Sequence, residues 1–153
     1  MEGCMEVTKI LDYIPQQTPF RFIDEIVEID QSRIVGRYTF KKDEYFYQGH
    51  FPNDPVTPGV ILTEAMAQTA VVALGIYLTS FKVPENELSN WTTFFTDNQM
   101  DFYLPVLPGQ TVTIKGEKVF WRKMKLKSKV KMFLENGDLV AEGTVSGMGV
   151  KRG

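Results

Sequence analysis

Residues 48–81 read QGHFPNDPVTPGVILTEAMAQTAVVALGIYLTSF, and a change of texture inside this stretch decides the fold. Its first part, Gln48 to Gly59, holds three prolines and two glycines. Proline removes a backbone donor and fixes φ, so this composition forbids a helix interior or a central strand and predicts a loop. The next part is its opposite: from Gly59 to Phe81, 23 residues carry a single charge, Glu64. Thr57 is placed to act as the N-cap and Pro58 as the first helical residue, where a missing N–H costs nothing. The spacing predicts a helix to about Ser80, broken before Pro84. A helix apolar on nearly all sides is surrounded either by lipid or by its own protein. Thr63, Gln68, Thr69 and Ser80 dilute this one, and alternating polar segments flank it, which favours its own protein and no membrane.

Outward from the helix the period changes to two. Arg21 to Asp30 sets Phe22, Asp24, Ile26 and Glu28 against Ile23, Glu25, Val27 and Ile29, and Arg33 to Lys42 continues after a turn at Asp30-Gln31-Ser32. Ahead of them, Val7 to Tyr13 is spaced as a short amphipathic helix that stops at Pro15. Beyond the long helix, Val83 to Ser89 reads as a polar excursion, and Trp91 to Phe95 and Met100 to Leu104 as two extended segments. Thr111 to Phe120, Lys123 to Phe133 and Leu139 to Met148 follow as strands, the last two joined by the hairpin signal Asn136-Gly137. One buried helix among antiparallel strands predicts an α+β domain, residues 1–153, with a sheet wrapped around a helix.

Composition narrows the chemistry. At 153 residues, 43% apolar and 24% charged, the chain is an ordinary globular domain rather than a disordered or coiled-coil one. A net charge of -2 gives no overall attraction for nucleic acid or membrane. With one cysteine, Cys4, and one histidine, His50, intrachain disulfides are impossible, and a Cys/His metal site is not expected. Cys4 has no adjacent histidine and is assigned no role. Met1 to Thr8 lacks the apolar core of a secretory signal, which points to the cytoplasm. Any imidazole chemistry near neutral pH falls to His50.

The loop and the helix start together carry a constellation. A Pro/Gly loop holds His50 at low conformational freedom, and a neutral imidazole is suited to accepting a proton near pH 7. Glu64, on an apolar helix, gains a raised pKa by burial and can donate, and Gln68 at i+4 can orient it. The N–H groups of Gly59 and Val60 have no intrahelical acceptor and lie at the positive end of the helix dipole. Base, acid and oxyanion donors together describe proton abstraction beside a carbonyl with loss of a poor leaving group, as in dehydration of a 3-hydroxy thioester. The residues alone also allow a surface histidine and a satisfied buried glutamate.

The run GHFPNDPVTPGVILTEAMAQ resembles the 3-hydroxyacyl-[acyl-carrier-protein] dehydratases of type II fatty acid synthesis, whose motif is GHFP, then PV-x-PGV, then EAMAQ. Pro19-Phe20 to Asp24, Pro105-Val106-Leu107-Pro108-Gly109 and Leu139-Val140-Ala141-Glu142 resemble further family segments, so the likeness covers most of the chain. The resemblance implies a hot-dog fold and a homodimer, which in the family often assembles as a trimer of dimers. It implies no cofactor, with His50 as base, Glu64 from the other subunit as acid and Gly59 N–H as the oxyanion donor. The substrate it implies is a (3R)-3-hydroxyacyl chain on the phosphopantetheine of acyl carrier protein, or on coenzyme A, converted to the trans-2-enoyl thioester. Family members that also isomerise the double bond carry aspartate where this chain has Glu64, which favours plain dehydration. Phe51, beside His50, and Val60 are candidate substrate contacts, with Gln68 in support. The alternative on the same fold is a thioesterase in which Glu64 activates water.

This chain also departs from the family. Gln16-Gln17 stands where a His-Arg pair is usual, and Asp101, Tyr103 and Leu104 stand where basic residues precede PV-x-PG. Such basic positions receive the acidic carrier, so the departures point to a specialised acyl or polyene pathway or to a different carrier. Lys123, Lys125, Lys127, Lys129 and Lys131 alternate and would share one strand face, either as a solvated surface or as a docking stripe. Phe22, Phe46, Tyr47, Phe94, Phe95, Phe102 and Tyr103 divide between core and a possible acyl tunnel.

Overall fold

A computed structural model describes residues 5–152, so Cys4 lies outside the described residues. A short helix, α1 (Val7–Asp12), precedes two paired strands, β1 (Glu25–Ile29) and β2 (Arg33–Thr39). The central helix follows, Gly59–Thr79. After a 3-10 turn at Glu85–Asn90 come β3 (Trp91–Phe102), β4 (Thr111–Arg122), β5 (Lys125–Leu134) and β6 (Leu139–Lys151). The strands form one antiparallel sheet in the order β1-β2-β4-β5-β6-β3. This is the α+β, hot-dog arrangement that the sequence predicts, a sheet around one long helix.

The sheet's inner face buries the helix because its strands alternate. On β5, Leu126, Ser128, Val130 and Met132 are buried while Lys129 and Lys131 stay exposed. Two glycines let the strands come unusually close. A Cβ on Gly116 would lie 2.7 Å from that of Ala70, and one on Gly147 would lie 2.7 Å from Cγ1 of Val71. Those helix residues belong to a π-helical segment, Gln68–Ala73, where Ser128 Oγ also donates to the Ala70 carbonyl at 2.8 Å. The wider turn and the close strand contacts therefore coincide. In the most apolar window of the helix, 67% is buried, which accounts for an apolar run long enough to cross a membrane without placing it in one.

Five expectations change. Thr57 does not cap the helix and Pro58 is not its first residue: the Thr57 hydroxyl is turned to the Tyr47 hydroxyl at 2.6 Å, and the helix begins at Gly59, with Pro58 in the N-cap position and no side-chain cap. The two segments after the helix are one strand, β3, carried through polar residues by its pairing with β6. Arg21 to Asp24 leads into β1 rather than forming it. Lys123 lies in the β4–β5 turn at φ 50, beside Met124 at φ 62, so four lysines rather than five share the face of β5.

Candidate active site

The loop that carries His50 is closed at both ends. Tyr47, at the end of the 3-10 turn Tyr45–Gln48, and Thr57, ahead of the helix, are both buried and joined through their hydroxyls. The Thr57 N–H donates to the Val106 carbonyl at 2.9 Å, which anchors the far end to the segment between β3 and β4. Inside the loop, the His50 N–H donates to the Phe46 carbonyl at 3.0 Å, and ring Nδ1 lies 2.7 Å from the Val56 carbonyl oxygen. A carbonyl only accepts, so Nδ1 carries the hydrogen and the neutral ring presents Nε2 as an acceptor. Phe51 follows at φ 61, a conformation that costs a non-glycine residue energy, and its ring lies 4.4 Å from the imidazole. It is 59% exposed.

Glu64 is placed by the helix instead. It sits half-buried, and its carboxyl is pushed above the ordinary carboxylate range by loss of water, against a smaller opposing effect of the Gln68 hydrogen bond. Gln68 is fully buried and makes three bonds. Its Nε2 donates to Glu64 Oε2 and to the Phe20 carbonyl, each at 2.9 Å, and its Oε1 accepts from the Phe22 N–H at 2.7 Å. It therefore ties the acid to the segment before β1, as the i+4 spacing anticipates and with two backbone partners the spacing does not reveal.

Gly59 opens the helix, and its N–H is among the donors that no helical carbonyl satisfies. It lines a groove of about 270 Å³ with Thr57, Leu62, Phe102, Tyr103 and Leu104. Val60 is 77% exposed next to it. Glu64 lines a different cavity, of about 50 Å³, together with Gln16, Thr93 and Phe95. Within one chain Gly59 and Glu64 therefore line different cavities, and His50 lines neither of the two. Sequence reasoning missed Gln16 as a neighbour of Glu64, because the contact joins residues far apart in the chain.

Other expectations can now be placed. Phe22 and Tyr47 belong to the core, whereas Phe94, Phe95, Phe102 and Tyr103 are exposed along β3 and just after it. On the lysine face, Lys125 lies 3.8 Å from Asp97 and Lys131 lies 4.0 Å from Glu142. Exposed pairs of this kind contribute little to stability. Among the described residues no cluster of metal-ligating side chains occurs.

The chain resembles known proteins in sequence and in fold. A family model described as the FabA-like domain matches residues 14–146. The 3-hydroxyacyl-[acyl-carrier-protein] dehydratase FabZ of Syntrophobacter fumaroxidans is 33% identical over 138 residues, 90% of this chain and 89% of that one. The protein of the same name from Acetivibrio thermocellus is 36% identical over 138 residues, again 90% and 89%. Among solved structures, the dehydratase heterocomplex ApeI:P from Xenorhabdus doucetiae superposes with a TM-score of 0.77 at 11% identity, covering 93% of this chain and 91% of that one. A hypothetical thioesterase from Streptococcus pneumoniae with coenzyme A gives 0.60 at 14% identity, covering 97% and 100%. At such identities these two share the fold alone.

Proposed function

The chain belongs to the FabA-like family, and from that premise we propose that it dehydrates a 3-hydroxyacyl thioester between His50 of one subunit and Glu64 of another. It is a lyase of the FabZ type. The observation that carries the assignment of roles is the contrast between the two groups: an imidazole whose Nδ1 is engaged, leaving Nε2 to accept, and a carboxyl held toward its protonated, donating form. Nε2 of His50 takes the proton from C2, the Gly59 N–H stabilises the charge that develops on the thioester oxygen, and Glu64 gives its proton to the departing hydroxyl.

A homodimer is part of this reading, and the lining of the Glu64 cavity supports it. His50 does not line the cavity that holds Glu64, and in this reading a second copy brings its own His50 to it. The edge strand β3 offers the surface for it: twelve residues long, with one side unpaired and with Phe94 and Phe102 exposed. An edge of that kind left uncovered is prone to pair with another strand. In this reading Phe51 and Val60 contact the acyl thioester, and their exposure next to His50 and Gly59 in the chain supports it. The substrate is carried on the phosphopantetheine of an acyl carrier protein in the cytoplasm, a reading supported by likeness to relatives named for that carrier.

The test is to incubate the protein with 3-hydroxyacyl thioesters of several chain lengths and record mass spectra together with free thiol. Loss of water with the thioester retained is expected. Thiol release without loss of water makes the protein a thioesterase instead.

A further inference from the structure

The cavity beside Glu64 holds a group that the mechanism above does not use. Gln16 lines it, and Oε1 of its carboxamide is buried without a partner among the described residues. Its neighbour Gln17 is different, donating from Nε2 to the Ile14 carbonyl at 3.0 Å. Ser146 Oγ, lining the same cavity, is a second buried polar atom without a partner among the described residues, and two such orphans around one space call for a small polar ligand between them. Across the cavity, Gln68 occupies Oε2 of Glu64, and among the described residues Oε1 has no hydrogen-bond partner. The space between is about 50 Å³, with Ala67, Val71 and Phe95 supplying apolar wall. A single water needs ~10–15 Å³ of such space, so the cavity suits a hydroxyl or a water and is too small for an acyl chain.

Resting on the dehydratase reading, we propose that Gln16 Oε1 accepts the hydrogen bond of the substrate's 3-hydroxyl and of the water it becomes. A hydroxyl has one hydrogen and two lone pairs. With its hydrogen given to Gln16, a lone pair faces the protonated Glu64 carboxyl. His50 takes the C2 proton, the C–H electron pair becomes the C2=C3 double bond, and the C3–O bond breaks as the Glu64 proton passes to the oxygen. Water leaves still donating to Gln16, which gains and loses no proton. His50 returns its proton to solvent and Glu64 regains one, so the cycle closes. Gln16 thereby recognises the hydroxyl rather than the acyl chain, a task that calls for no positive charge at this position.

The experiment compares Gln16→Met with the wild type on two coenzyme A thioesters of equal chain length, a 3-hydroxyacyl substrate and the saturated acyl analogue as a competitive inhibitor. Loss of one hydrogen bond made in both ground and transition state raises KM for the hydroxyacyl thioester about tenfold with kcat little changed. The inhibition constant of the saturated analogue, which has no hydroxyl to hold, stays within about twofold. Gln16→Ala, which cannot crowd the ligand, repeats the measurement and gives the same selective shift. Equal weakening of both ligands, or no change in either, overturns the assignment of Gln16 while leaving dehydration by the wild type in place. If the wild type removes no water at all, the reading of the function falls and this proposal falls with it.

Discussion

The loop bearing His50 and the helix bearing Glu64 adjoin in sequence, yet they hold their side chains by different physics. The loop is largely exposed, and hydrogen bonds fix it: the Tyr47 and Thr57 hydroxyls at its ends, the Phe46 and Val56 carbonyls inside it. Packing fixes the helix: Ala65, Met66 and Ala67 are buried around Glu64, and one carboxamide clamps the acid. The difference matches the tasks. A base needs an open acceptor, which the bond at Nδ1 leaves on Nε2, whereas an acid that keeps its proton needs loss of water, which the packed helix supplies.

Removing the single Gly59 N–H between the two regions has the largest expected effect. Gly59→Pro keeps the helix, because proline is tolerated at the first helical position and Pro58 already has the extended conformation that a following proline requires. The measurement is turnover alongside far-ultraviolet circular dichroism. Turnover should fall about 10²–10³-fold with helix content unchanged; a fully active variant removes Gly59 from the oxyanion site.

Gln68→Met probes the helix side. It strands the Phe22 N–H and removes the hydrogen bond that lowers the Glu64 pKa, so stability drops by about 1–3 kcal/mol in urea unfolding. The sign of the pH effect follows. With that opposing interaction gone, the Glu64 pKa rises further, the carboxyl stays protonated to higher pH, and the alkaline limb of the rate profile moves upward. An unmoved limb would break the contrast drawn between acid and base.

The smallest effect belongs to the loop. Tyr47→Phe removes one hydroxyl from a buried pair and leaves the Thr57 hydroxyl alone, at a cost of about 0.5–1.5 kcal/mol. Turnover should fall less than about tenfold, with the pH limb assigned to Glu64 unmoved. A shifted limb would mean that the loop and the helix are electrostatically linked.

Much of this was legible in the sequence because it is local. The clash between a Pro/Gly run and an apolar run fixes where the loop ends and the helix starts, and the i+4 spacing pairs Glu64 with Gln68. Long-range contacts were not legible. Thr57 reads as a cap because nothing nearby shows that the Tyr47 hydroxyl will claim it. The polar middle of β3 shows no apolar alternation, since an exposed edge strand does not need it, and only pairing with β6 makes it one strand. The π-helical segment packs closely against Gly116 and Gly147 in distant strands. Gln16 and Glu64 line one cavity although they lie far apart in the chain, a link with no local signature.

The central claim, that base and acid act across two subunits, is tested most directly by complementation. His50→Ala and Glu64→Gln chains, each inactive alone, are unfolded together, refolded as a mixture and assayed for dehydration. Random pairing makes half of the dimers mixed, and each mixed dimer regains one intact site of two, so about a quarter of wild-type activity should return. No recovery, with mixed dimers demonstrated by mass, would place both groups in one chain and contradict the account.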